Sequence, residues 1–600
     1  MMYYTEHNEN KVFLPFVIVT TLAAFIILSS IKSSGLESQK IIIISSVIWF
    51  IWLTLFILEI KKGNKIAEKN HQLFVKSVIT VVISFYFAKT IWTSGYLTLY
   101  PINAIFEGKI HIDTLFHSTI AESIKNYGFP SILINDTDFL HYHFGSHLII
   151  ALLSSILNVP AFFVYNYFYP IIFIPLYSYL LIYVIIEIRK YKNEKSRLFV
   201  HDYILLSFFF IGFFPTDISE RIGIWKSSWI ISESFLLALI FFLLYILIIL
   251  KVLRIQRKNT LLIVFLSSLF IFLCSSMKIS VGFLLAIGII YFNFRKNTRK
   301  FQFWIVNIFF FIIILLSYNI FSESAESAEI QLLSFVRNYT SLKYISFILH
   351  YLYILFFSVV VISYKVSTNM PILPAVKSKY LIIEESVIII SLVSFLPGLI
   401  LNIGGGSAVY FSYFPELIGI CMLLGYNVPG KLQQKLQSKN IIMKYIAIFC
   451  MILFILIIFD NTRILSNSKK IYSFIKTMNN QDIAGNNFME NIHNIIELSK
   501  NTKKNYCIFL DDNAEVWELY KHNARTSIYI YPALTGIRVI NGIYTDGINI
   551  YTSNGKYIQK IESSAYGINK SIVTKNVNEK IKKFKYMIYI NNDKYQIKEI

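Results

Sequence analysis

Long apolar runs separated by short basic clusters leave this chain one solvent in which to fold. Val12 to Ile31, Ile41 to Ile60, Val75 to Leu99 and Ala161 to Ile188 each have the length of a bilayer span, for which about 20 residues suffice. Shorter or similar runs follow at 200–214, 229–250, 260–275, 280–294, 303–321, 344–364, 381–402, 409–427 and 441–459. Hydrophobic residues make up 55% of the 600, more than a soluble globular chain carries. The expected class is an α-helical polytopic membrane protein.

Charge fixes the orientation. The formal net charge is +21, but the cations fall in clusters between apolar runs: Lys61 to Gln72, Arg189 to Arg197, Lys251 to Asn259, Arg295 to Lys300, Lys365 to Lys379 and Gly430 to Lys439. That is the positive-inside pattern of cytoplasmic loops rather than a stripe for nucleic acid, which is not an expected partner. No small-residue cleavage site follows Val12 to Ile31, so the run reads as a retained helix with a cytoplasmic N-terminus. Leu148 to Leu157 is too short to span and would break parity, so it reads as a juxtamembrane or half-inserted helix. The pattern predicts about thirteen crossings in a multi-pass cell-membrane protein. Its transmembrane domain covers 1–459 with a large outer loop at 100–147. Residues 460–600 hold no spanning run and read as a C-terminal extracytoplasmic α/β domain. The four cysteines, Cys274, Cys421, Cys450 and Cys507, are scattered and suggest packing rather than a disulfide framework.

The outer loop concentrates the chemistry. Between Glu107 and His147 it carries His111, His117, His141, His143 and His147, together with Glu107, Asp113, Glu122, Asp136 and Asp138. Ionisable groups at a membrane boundary are costly and point to function. Asp113 and His117 are four apart, as are His143 and His147, so each pair shares a helix face. Other outer segments add cations: Arg221 and Lys226 in 215–228, Lys278 in a turn of a few residues between two apolar runs, and Arg337 and Lys343 in 322–343. A lysine at a helix end also snorkels without any function. Gly404 to Gly406 would admit a close backbone approach.

In the C-terminal region, 486–500 predicts an amphipathic helix, 506–512 a buried strand, 514–522 a helix and 584–592 another strand. Asp511 and Asp512 end the first strand and read as acids capping the next helix. Residues 531–547 read as turn-rich.

A carboxylate at an outer boundary with cations on neighbouring loops suits a reaction on a lipid-linked phosphate. The acid would take a proton from a sugar hydroxyl, and Lys, Arg or a divalent ion would hold the departing phosphate. The segments HIDTLFHSTIAESIKNYGFP and HYHFGSHLIIALLSSILNVP resemble the first large outer loop of the C-type membrane glycosyltransferases, the GT-C fold. In that superfamily an acid just after a transmembrane helix precedes a juxtamembrane helix, a Gly-x-Pro-like turn and a second helix. The topology is similar to that of its bacterial aminoarabinose and mannosyl transferases. The resemblance implies inverting transfer of a sugar from a polyprenyl-phosphate donor to a glycan or glycolipid acceptor, with Asp113 carried over as the catalytic acid residue. His117, His141, His143, His147, Lys278, Arg221 and Arg337 are then the candidates that shape the donor site. If a metal is used, the expected ligands are His111, Asp113 and His117. Two features depart from the family pattern. Two helices precede the one that the acid follows, and HIDTLFH stands where a second carboxylate is frequent.

Three other readings compete. A polysaccharide polymerase or ligase would use polyprenyl-diphosphate oligosaccharides at the same surface. A lipid or polysaccharide transporter would need charge near the midplane, for which Glu233 is the main candidate, and usually repeated halves, of which none is visible. A zinc hydrolase would draw on HxDxxxH and HxHxxxH, whose spacings match no closed zinc motif.

Overall fold

The computed structural model describes, with short breaks, residues 102–134, 139–192, 232–254, 260–297, 301–321, 382–402, 409–430, 486–499, 502–560 and 581–600, with isolated positions between them. The runs at 12–31, 41–60, 75–99 and 441–459, and most of 200–214 and 344–364, lie outside the described residues.

The histidine-rich loop begins with helix α1, Ile112–Tyr127. Its start is set by His111, whose ring nitrogen accepts from the Asp113 amide at 3.2 Å. Asp113 in the first turn and Lys125 in the last complement the helix dipole. Gly128, at φ +85°, closes the helix in the left-handed conformation that glycine adopts without cost. Every residue from Ile112 to Ser123 is buried, so α1 is enclosed on all sides. Helix α2, Gly145–Leu157, follows. Leu148, Leu152 and Ile156, spaced by four, are exposed, whereas His147, Ile150, Ala151 and Ser154 face inward. Thirteen residues give roughly 20 Å of helix, short of the ~30 Å hydrocarbon core. The chain then bends by 115° into the next helical segment.

That segment, expected as one span, is irregular. A π-helical stretch, Val164–Phe173, leads into helix α3, Ile174–Tyr191. Pro170 within the stretch has no N–H for an α-helical bond, and the wider turn accommodates it. Helices α4 (Glu233–Arg254), α5 (Thr260–Met277), α6 (Ile279–Asn297) and α7 (Phe301–Phe321) come next. Strand β1 is Glu329–Ile330 and helix α8 is Ile382–Val393. The expected run at 381–402 breaks after Val393: Pro397 lies in a short second helix, Leu396–Ile400, and strand β2, Leu401–Asn402, pairs with β1 antiparallel. Helix α9, Val409–Gly425, completes the group.

Among the described residues two helices are long and apolar enough to cross a membrane, or three if the bent pair around Asn158 counts as one span. Shorter apolar helices lie at Leu261–Met277, Ile279–Arg295 and Phe414–Gly425. One apolar core joins α3, α4, α5, α6 and α9 through residues such as Tyr177, Leu243, Ile271, Leu285 and Phe414. Helix α7 adds Phe310 and Ile314 to this core, and on its other side exposes Trp304, Ile308, Phe311 and Leu315, an apolar surface suited to lipid.

The C-terminal region opens with helix α10, Asn486–Ser499, and strand β3, Tyr506–Leu510, both as predicted. The predicted helix after it is a single described turn, Val516–Leu519. Helix α11, Ala524–Thr535, takes in the first residues of the segment read as turn-rich, and Gly536 at φ +70° ends it. Strand β4 is Arg538–Val539, and a three-stranded antiparallel sheet follows from β5 (Ile543–Thr545), β6 (Asn549–Thr552) and β7 (Tyr557–Lys560). Strands β8 (Tyr586–Asn591) and β9 (Lys594–Glu599) complete a mixed sheet of order β4-β3-β8-β9. Asp511 at the end of β3 accepts from the Asn513 amide at 3.0 Å and from the Tyr589 hydroxyl, so it ties down a turn.

The histidine-rich loop and this sheet share one core. Leu115, Phe116 and Ile120 of α1 pack with Ile528, Tyr529, Val539 and Ile588. Ile134 bridges Val539 in parallel, and the Val539 amide donates to the Leu133 carbonyl at 2.9 Å. The sheet thereby holds α1 from behind, against α2 and the apolar helices.

Candidate functional site

The starts of α1, α2 and α4 meet the break between α5 and α6 at one junction. His117 stands one turn after Asp113 on α1 and is 7% exposed; Asp113 is 5% exposed. Asp113 Oδ2 lies 3.6 Å from Nδ1 of the capping His111. From α2, His147 Nε2 comes within 2.8 Å of His117 Nδ1, and Ser146 Oγ lies 3.3 Å from His147 Nδ1.

Glu233 enters from the N-terminus of α4. Ser232 Oγ accepts from the Phe235 amide at 3.1 Å and so caps this helix. The apolar pattern puts Glu233 several residues inside a span; the cap sets the helix start at Glu233 itself. Its Oε1 lies 3.7 Å from His117 Nδ1, and its Oε2 accepts from the Tyr165 hydroxyl at 3.0 Å. Tyr165 also stacks on the His117 ring, with centroids 5.8 Å apart and planes inclined by 14°. Tyr169, one turn on, donates to the Ser232 carbonyl at 2.9 Å. Both tyrosines come from the π-helical stretch, a type of irregularity frequent at functional sites.

Lys278 occupies the single-residue break between α5 and α6 and is 8% exposed. Its Nζ lies 3.3 Å from His143 Nε2 and 3.8 Å above the centre of the Tyr410 ring on α9. An ammonium can only donate, so Nε2 of His143 is the acceptor and its proton sits on Nδ1. The Tyr142 ring stacks on His143 at 3.8 Å. Gly145 permits this arrangement. A Cβ there would stand 2.8 Å from the Ser276 carbonyl carbon and oxygen, so only glycine lets α2 begin against the end of α5.

Burial sets the charge of the imidazoles. It pushes His117 down to about 3, helped by repulsion from Lys278 and His111. His143 is driven well below the ordinary histidine range, by burial first and by Lys278 next. His111 is lowered by burial alone. Neutral rings at pH 7 offer lone pairs to cations and to ligand hydroxyls.

Of the residues singled out in the sequence, Asp113, His117, His143, His147 and Lys278 gather at this junction. His141, Arg221 and Arg337 lie outside the described residues. Among the described residues, the group of three whose ligand atoms converge for a metal is His117, His147 and Glu233. His111 and Asp113 lie instead at the start of α1. Sequence reasoning missed Tyr165 and Tyr410 and gave Glu233 a different role. The Ser-Glu pair before a long apolar run, a helix-start signal, marks Glu233 as an end residue in retrospect.

No protein-family model matches this chain, and no curated protein does. Two solved structures show a distant likeness, both of an oligosaccharyltransferase from Archaeoglobus fulgidus. One, the archaeal oligosaccharyltransferase AglB in complex with an inhibitory peptide and a dolichol-phosphate, is 12% identical with a TM-score of 0.42. The match covers 87% of this chain and 69% of that one. The other, tethered to an acceptor peptide containing the NVT sequon, is 13% identical at a TM-score of 0.41, with the same coverage.

Proposed function

We propose that this chain is an integral membrane glycosyltransferase. In this reading it moves a sugar from a polyprenyl-phosphate-linked donor to a glycan or glycolipid acceptor on the outer face of the membrane. The observation that carries it is a pair of buried, opposite charges on the outer-loop side: the Asp113 carboxylate at the start of α1 and the Lys278 ammonium in the α5–α6 break. Beside them α2 turns Leu148, Leu152 and Ile156 outward, a face on which a lipid chain can lie. The likeness of HIDTLFHSTIAESIKNYGFP to the first outer loop of the C-type transferases supports the same reading.

These groups dictate the chemistry. Asp113 takes the proton of the acceptor hydroxyl as its oxygen attacks the anomeric carbon. The bond from that carbon to the phosphate oxygen breaks with inversion, and its electron pair leaves on the polyprenyl phosphate. Lys278, fixed between His143 and Tyr410, stands opposite the negative charge as it develops and need not reorganise. Neutral His143 supplies an acceptor without adding a competing charge.

The test is mass spectrometry of lipids that co-purify with the full-length protein, comparing wild type with Asp113→Asn. The expected result is a polyprenyl-phosphate sugar in both, enriched in the variant that cannot turn it over. Bulk phospholipid alone in both samples, or undiminished transfer by Asp113→Asn, overturns the reading.

A further inference from the structure

We propose that His117, His147 and Glu233 form a binding site for one divalent transition-metal ion, zinc by its donor set. His117 Nδ1, His147 Nε2 and Glu233 Oε1 come from three separate elements, α1, α2 and α4, and lie within 4.8 Å of one another. All three residues are buried. Glu233 is 0% exposed, and its Oε1 has no hydrogen-bond partner among the described residues, although it is aimed at His117 from 3.7 Å. A buried carboxylate oxygen left without a donor costs free energy that a cation would recover.

The atoms behind the ligands fit as well. Tyr165 holds the second oxygen of Glu233, and Ser146 stands at the second nitrogen of His147. Such outer partners orient ligands and fix the ring tautomer.

Two imidazoles and one carboxylate suit zinc with an open fourth position, and the same donors serve iron or manganese in a facial arrangement. With bonds of about 2.0–2.1 Å, two ligands at a tetrahedral angle stand roughly 3.3 Å apart. The 2.8 Å between the imidazole nitrogens therefore opens by about half an ångström when the ion enters.

The site differs from the trio expected along α1, and it stands apart from the transferase reading because metal content is read without turnover. The full-length protein in detergent is stripped with a chelator, dialysed against zinc or manganese, freed of excess and analysed for metal. About one zinc per chain is expected, with X-ray absorption at the zinc edge showing two imidazole nitrogens and oxygen. Glu233→Gln and His147→Ala should each retain less than a tenth of that zinc, whereas His493→Ala, on α10, should retain it all. Should both site variants fail to fold, the wild type alone decides: zinc must raise the thermal midpoint of the stripped protein. Less than a tenth of an ion per chain in loaded wild type, equal loading of wild type and folded site variants, or an unmoved midpoint overturns the site.

Discussion

Lys278 Nζ lies 3.3 Å from His143 Nε2, and the same ammonium sits 3.8 Å over the Tyr410 ring. Three elements thus fix one cation at a helix break facing the histidine-rich loop. If Lys278 stabilises the departing phosphate, Lys278→Met should lower kcat by about 10²-fold or more, the usual loss for one such group. The same variant removes a charge that holds His143 down, so His143 should titrate at a higher pH than in wild type. Histidine NMR in detergent reads the second effect independently of turnover. An unmoved His143 signal would mean that the contact carries no electrostatic weight.

Acid should destabilise the fold through His117. Its ordinary value is 6.5 and its folded value about 3. Between those limits the unfolded chain binds the extra proton and the folded one does not. Stability therefore rises with pH across this window, and it is lost as pH falls from 6.5 toward 3. The thermal midpoint of chelator-treated protein should drop between about pH 7.5 and pH 5, and His117→Gln should flatten that slope. His143, depressed by the same burial, leaves part of the slope in place. A His117→Gln profile parallel to wild type refutes the assignment.

How much of this was legible in the sequence depends on separation along the chain. Asp113 with His117 and His143 with His147 were readable because four-residue spacing is local and a helix makes it a face. Lys278 was readable because a cation between two adjacent apolar runs has nowhere else to go. Glu233 meets His117 across a long stretch of intervening chain, and no periodicity encodes that contact. The π-helical stretch that delivers Tyr165 was hidden inside an apolar run whose composition does not distinguish one helix pitch from another. In the C-terminal region the strands Tyr506–Leu510 and Tyr586–Asn591 were visible as β-rich segments. Their sharing of a core with α1 was not, since that pairing joins distant parts of the chain.

Glu122 pins α1 to the start of the next helical segment. It is 1% exposed, its Oε1 accepts from the Ala161 amide at 2.6 Å and its Oε2 from Asn126 at 2.8 Å. Lys125 lies 3.5 Å from Oε1 and also reaches Ser154 Oγ and the Val159 carbonyl. Glu122→Ala strands a buried amide and removes the acid of the ion pair with Lys125, for a cost of about 2–4 kcal/mol. Lys125 keeps its other two acceptors, which holds the loss below that of a wholly orphaned charge. Glu122→Gln retains an acceptor for Ala161 and should cost less than half as much. Chemical denaturation of both variants checks the order, and equal losses would show that the charge, not the acceptor, matters.

Gly145 separates packing from chemistry. An alanine Cβ there meets the Ser276 carbonyl group at 2.8 Å, and backbone cannot swing aside as a side chain can. The α2 start must back away from the end of α5, carrying His143 and His147 with it. Overpacking of this kind costs about 1–3 kcal/mol. The displacement also pulls His143 off Lys278 and His147 off His117, so under the proposed transferase function Gly145→Ala should lose transfer well beyond what its stability loss explains. Gly128→Ala is the control: its φ of +85° makes alanine strained, but open space surrounds the added carbon, so stability should fall while transfer per folded molecule holds. Measuring turnover at a temperature where both variants are fully folded separates the effects. Equal turnover in the two would mean that the α2–α5 contact does not set the site.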